Sequence, residues 1–152
     1  MDLGLTGRKA IVCASSRGLG RASARALAAD GVDVAINGRD AAVVESTAMA
    51  IAAETGVEAT PVVADLDTED GRARLLEACS EPDILVNNNG GPPPRQQSVD
   101  TVRGSMLANI LAGRFGDREE LGRACAFLCS AHSGFIIGQN LLLDGGHFPG
   151  AF

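Results

Sequence analysis

The chain has 152 residues, 45% of them hydrophobic and 21% charged, which suffices for one globular domain with a sizeable core and leaves little for a second. A net charge of −6, with the arginines scattered along the chain, excludes the basic stripe that tracks a phosphate backbone, so nucleic acid is not an expected partner. No run is long and apolar enough to span a bilayer, and the opening MDLGLTGRKA has neither the cationic segment nor the apolar core of a signal peptide. The expectation is a cytoplasmic protein with no membrane partner.

The first strand-length apolar run, 9–14, breaks at the turn ASSRGLG and enters an alanine-rich helix that spans Gly18 to Asp30 and stops at Gly31. A strand feeding a helix leaves N–H groups at the helix start without partners, at the positive end of the helix dipole. Such an end attracts a phosphate, and Gly18 and Gly20 let the backbone come close to it. A second apolar run at 32–37 is followed by Asp40, an N-cap residue, and a helix ending at Gly56. A third run at 59–65 is followed by Thr68, with Glu69 and Asp70 in the first turn of a helix reaching Ala78. A fourth run occupies 83–88. The runs are continuously apolar, as in strands covered on both faces, and strict alternation with helices implies a parallel sheet with right-handed crossovers.

Beyond 88 the rhythm changes. NNNGGPPPRQQS reads as a stiff loop, a helix is expected over 101–111, and 113–116 breaks it. Asp117 with Glu120 is a capping-box start for a helix whose apolar stripe is Leu121, Ala124, Cys125 and Leu128. The stretch 140–144 reads as a last strand, and the apolar tail HFPGAF is expected to pack on a neighbour or a partner subunit. Cys13, Cys79, Cys125 and Cys129 show no C-x-x-C pairing and read as reduced, packed thiols. For Cys125 and Cys129, one helical turn apart, a metal or redox role is the alternative reading.

Five signals stand in register: ASSRGLG after the first strand, NGR after the second, ADL after the third, NNNG after the fourth and GQNLLLDGG near the C-terminus. In these the chain resembles the short-chain dehydrogenase/reductase family of NAD(P)-binding Rossmann-fold oxidoreductases, over Leu5–Pro94 and again over Ser98–Phe152. The resemblance implies an α/β, Rossmann-like three-layer fold in one domain. Residues 1–94 would form the nucleotide-binding half, and 98–152 the C-terminal helices and last strand. The sheet would be shortened to about five strands in the order 3-2-1-4-7.

Residue by residue, Ala14–Gly20 is similar to the family's G-x-x-x-G-x-G turn, with Ala14 where the first glycine is usual. Ser16, Arg17, Gly18, Leu19 and Gly20 would lie against the cofactor's adenosine phosphates. Asp65 and Leu66 match the pair that contacts adenine. Asn88, Asn89 and Gly90 match the Asn-Ala-Gly motif with Asn89 in place of alanine, and Asn87 is expected to tie strands together. At the end of the second strand, Asn37-Gly38-Arg39 has no carboxylate for a ribose 2′-OH. Arg39 and Arg17 would instead bond a 2′-phosphate, which favours NADP(H) over NAD(H). The bland reading of Arg39 is a solvated residue before the Asp40 cap.

The family's catalytic pattern is absent. There is no tyrosine, the sole lysine is Lys9 at the start of the first strand, and the segments that would carry helix four, strand five, the Tyr-x-x-x-Lys helix and strand six are missing between the PPP loop and SVDT. No residue is therefore assigned a catalytic role. The expected protein is an NADP(H)-binding relative of carbonyl and alcohol oxidoreductases with impaired chemistry, assembling as a homo-oligomer or with a related subunit. The alternatives are a non-catalytic interaction subunit paired with a full-length relative, an internally deleted gene product without selected function, and an enzyme using an unfamiliar acid.

Overall fold

The computed structural model describes residues 1–88, 104 and 107–148. Four parallel strands form one sheet in the order β3-β2-β1-β4: β1 (Lys9–Val12), β2 (Asp33–Gly38), β3 (Ala59–Val63) and β4 (Ile84–Val86). Helices α1 (Gly18–Ala29), α2 (Ala41–Thr55) and α3 (Glu69–Ala78) make the crossovers, and α4 (Arg118–Cys129) packs on α1. The expected α/β Rossmann-like fold with a shortened parallel sheet is the one found.

Both faces of the sheet are covered, which is why its strands read as continuous apolar runs. Side chains alternate along β1. Ala10 and Val12 join Leu27, Val34, Ile36, Val44 and Ile51 in the core beneath α1 and α2. Ile11 and Cys13 join Ala35, Val62 and Leu75 in a smaller core on the α3 side. Burial in that second core raises the Cys13 thiol pKa, as expected of a packed, inert cysteine.

The helix ends follow their capping residues. Asp40 Oδ1 accepts from Val43 N at 3.3 Å, and Thr68 Oγ1 accepts from Gly71 N at 3.0 Å. Gly56 closes α2 in the left-handed region at φ +78°. At the start of α4, Asp117 N donates to Glu120 Oε2 at 2.8 Å, the expected capping-box bond. Gly122 sets the α4–α1 distance, since a Cβ there would stand 2.5 Å from the Ala22 carbonyl oxygen.

The expected fifth strand is a correction. Asn140–Asp144 runs without strand structure, and the sheet of the described residues ends at β4, where Leu85 is 60% exposed. Local bonds hold the segment elsewhere. Ala112 N donates to Gly145 O at 2.9 Å, and the Asp144 carboxylate accepts from Gly146 N at 2.9 Å and Phe148 N at 3.0 Å. Leu142 and Leu143 line a cavity of about 500 Å³ together with Leu19 and Leu121. Of the helix expected over 101–111, Gly104 and Leu107 are helical and Ala108 begins a turn, while 101–103, 105 and 106 lie outside the described residues. The loop from 89 and the tail 149–152 lie outside them too. Among the described residues, no helix is long and apolar enough to cross a membrane.

Candidate nucleotide-binding site

The β1–α1 turn is held by buried polar groups. Ser15, fully buried, donates from Oγ to Val12 O at 2.6 Å and accepts from Asn37 N at 2.9 Å. Asn37 O in turn accepts from Ser15 N at 2.8 Å and Ser16 N at 3.2 Å. The Asn37 side chain, 2% exposed, accepts from Ala14 N at 3.2 Å and donates to Val62 O at 3.2 Å and Ala64 O at 3.1 Å. Asn37 thus joins the turn to β2 and to the end of β3. Every buried side-chain polar atom of the described residues has a partner.

The turn has the shape the glycine pattern requires. Ala14 sits at φ +48°, a left-handed conformation that costs an L-residue about 1–2 kcal/mol. That accounts for glycine's usual place there. Gly18 is at φ +61° with open space where a Cβ would go. Gly20 is needed for close approach instead, since a Cβ would meet Ala14 O at 2.5 Å and Asn88 Nδ2 at 2.6 Å. Asn88 Nδ2 donates to Ala14 O at 3.3 Å, tying the end of β4 to the turn. Asn87 makes a long contact of 3.9 Å with the Cys13 sulfur. The N-cap residue of helix α1, Arg17, makes no side-chain cap bond, unlike those of α2 and α3, so no capping side chain takes up the first N–H groups of α1.

Beside this turn lies a cleft of about 280 Å³ at the carboxyl ends of β1, β2 and β3, where open α/β sheets bind ligands. Ala14, Ser16, Arg17, Asn37, Arg39, Asp65 and Leu66 border it together. Arg17 pairs with Asp40 Oδ2 at 3.2 Å on the open surface. Arg39 makes no ion pair among the described residues. Asp65 Oδ1 accepts from Asp67 N at 3.1 Å, and Asp65 O accepts from Thr68 Oγ1 at 2.8 Å, which fixes the turn at the cleft floor.

The remaining expected residues lie off the cleft. Gly18 and Leu19 stand at the start of α1, Leu19 turned toward Leu142 and Leu143, and Gly20 and Asn88 act beneath the turn. Asn89 and Gly90 lie outside the described residues. Sequence reasoning did not single out Ser15 or Gly38. A Cβ on Gly38 would stand 2.6 Å from Ser16 Oγ, so glycine keeps the strand end open there. The N-G-R triplet carries that signal, whereas nothing local marks Ser15.

Lys9 stands at the opposite end of β1 from this turn, its backbone N–H bonded to Asp83 Oδ2 at 2.8 Å. Among the described residues, no cluster of three His, Cys, Asp or Glu side chains is arranged to hold a metal.

Fold and cleft define the class, a Rossmann-like α/β protein. The family model described as short chain dehydrogenase matches residues 8–112, and one described as Enoyl-(Acyl carrier protein) reductase matches 94–147. The chain belongs to the short-chain dehydrogenase family of oxidoreductases. It is 41% identical over 89 residues to the uncharacterized oxidoreductase YvaG of Bacillus subtilis, covering 58% of this chain and 34% of that protein. The chain thus spans about a third of the length of the curated relatives it matches.

Among solved structures, the Pseudomonas aeruginosa RhlG/NADP active-site complex superposes with a TM-score of 0.78 at 20% identity, over 95% of this chain and 98% of that one. L-sorbose reductase of Gluconobacter frateurii, complexed with NADPH and L-sorbose, gives 0.60 at 24% identity, over 84% and 50%. At these identities the likeness speaks for the fold.

Proposed function

We propose that this chain is an NADP(H)-binding member of the family that holds the cofactor by its adenosine half and has lost the family's proton relay. The supporting observation is the convergence of Arg17, the N-cap residue of α1, with Arg39 and Asp65 on one cleft at the carboxyl ends of the strands. A 2′-phosphate entering there would meet the guanidinium of Arg39 directly. To recruit Arg17 it must displace Asp40, a small cost, because exposed ion pairs contribute about 0.2–1 kcal/mol. Asp65 and Leu66 would border adenine, and the N–H groups of Gly18 and Leu19 would meet the pyrophosphate. NADP in one structural neighbour and NADPH in another support the same preference.

Loss of turnover rests on chemistry. Positioned general acids contribute about 10²–10⁴ in rate, and a chain without tyrosine, whose lone lysine sits at the far end of β1, does not supply the family's acid. The reading treats 1–94 as the working nucleotide half and 98–152 as its C-terminal support, in a cytoplasmic protein.

Arg39→Ala tests the 2′-phosphate contact. It should weaken NADPH binding about 10–100-fold, the worth of a charge-assisted hydrogen bond, and change NADH binding less than about twofold. Equal losses for both cofactors would refute the contact.

A second reading, an interaction subunit joining another copy or a full-length relative, is favoured by one observation. Phe135, Ile137, Leu141 and Leu143 stand in the open on the C-terminal stretch. Light scattering separates the two: a monodisperse monomer that captures no family member would remove this second reading.

A further inference from the structure

We propose that the run 140–144 pairs as a strand with β4 of a second copy of this chain, in a reciprocal exchange about a twofold axis. Such pairing rests on the second reading above, that this chain joins another copy, and it assigns the backbone that makes the contact. Two features of the chain each lack what the other offers. β4 is bonded to β1 and ends the sheet of the described residues. Its sequence, Ile84-Leu85-Val86, carries neither the charge nor the proline that guards exposed sheet edges, and Leu85 is 60% exposed. Asn140, Leu141, Leu142 and Leu143 have the apolar pattern of a strand, yet their backbone N–H and C=O groups make no hydrogen bond among the described residues. The run is anchored only beyond them, through the Asp144 carboxylate and the Gly145 carbonyl, and its three leucines are 41–56% exposed.

The side-chain pattern sets the register. Ile84 and Val86 pack in the core beneath α1 and α2, so Leu85 points to the other face of the sheet. Directly opposed residues on paired strands share a face. With Leu142 opposite Leu85, Leu141 and Leu143 fall beside Ile84 and Val86, and this holds in either strand direction. A slip of one residue would instead set Asn140 or the already bonded Asp144 beside that core.

The occupant is a second copy because each chain carries one open edge and one unpaired strand, and its own two are not joined. Two such chains satisfy both at once, and the twofold gives a closed dimer in place of an open fibre.

Hydrogen exchange read by mass spectrometry, beside light scattering, tests this on the unaltered protein. A dimer is expected at about 100 μM, with the amides of Leu141, Leu142 and Leu143 exchanging at least about tenfold slower than in the monomer reached by dilution. A dimer in which those amides exchange at the monomer's rate would overturn the strand pairing and leave the second reading standing. A monomer at every concentration up to about 100 μM would overturn both. Leu142→Pro removes an N–H from the run, and Leu85→Lys charges the edge. Each should weaken the dimer at least about tenfold while melting cooperatively, as the diluted wild type does. A Leu142→Pro dimer as tight as the wild type would overturn the proposal.

Discussion

Replacing Gly20 with alanine tests the β1–α1 turn at its tightest point. The added methyl would stand 2.5 Å from Ala14 O, 2.6 Å from Asn88 Nδ2 and 2.9 Å from Ser15 Cα. Ordinary carbon contacts lie near 3.5–4.0 Å, so the surroundings must shift by about 1 Å. Two of the three atoms belong to the turn backbone, and the third is hydrogen-bonded to that same backbone, so none can swing aside alone. Overpacking of this kind costs about 1–3 kcal/mol. For a chain of this size that is a fall of about 3–10 °C in Tm, with the urea midpoint lowered at an unchanged m-value. Gly18→Ala is the matched control. It carries a left-handed φ of +61° but meets nothing within 4 Å, so it should cost only about 1 kcal/mol of backbone strain. The close-approach reasoning is refuted if Gly20→Ala melts no lower than Gly18→Ala.

Ala14→Gly should act in the opposite sense. Relief of the strain at φ +48° is worth about 1–2 kcal/mol, offset by about 0.5–1 kcal/mol of added freedom in the unfolded chain, so the urea midpoint should rise by the equivalent of about 0.5–1 kcal/mol. A lower midpoint would contradict the backbone assignment. Acid stability should report the start of α4. Arg114 first, then the Asp117 N–H, hold the Glu120 carboxyl down to about 2 from an ordinary 4.5. A depressed carboxyl stabilises the fold above its unfolded pKa, and that contribution is lost as pH falls from about 4.5 toward 2. Thermal melts of wild type and Glu120→Gln should therefore differ at pH 6 and converge near pH 2. A difference independent of pH would contradict the ionic role.

The half of the fold built from local signals was legible in the sequence. Asp40, Thr68 and Asp117 each begin a helix where their side-chain chemistry places one, and Gly31 and Gly56 follow helices because the chain there takes positive φ. The last strand was not legible, because a strand is defined by its partner. The apolar run Asn140–Asp144 satisfied the pattern, yet it pairs with no strand among the described residues, and its end is bonded instead to Ala112, Gly146 and Phe148 through Asp144 and Gly145. The site divides in the same way. The turn's glycines and Arg39 follow from motif and charge. The central place of Asn37 depends on where Val62 and Ala64 come to lie, a tertiary fact outside any local pattern. Asn37 was expected at the cofactor, and it does border the cleft, but its amide is committed to joining three strand ends.

The most direct measurement of the nucleotide-binding claim is a titration of NADPH, followed by its own fluorescence, against protein shown to be folded by its cooperative melt. A saturable change below about 1 mM is expected, within the range in which cofactor-sized ligands bind enzymes. The absence of any saturable change at millimolar NADPH would contradict the claim that the cleft beside Ala14 and Arg39 holds the adenosine half of a dinucleotide.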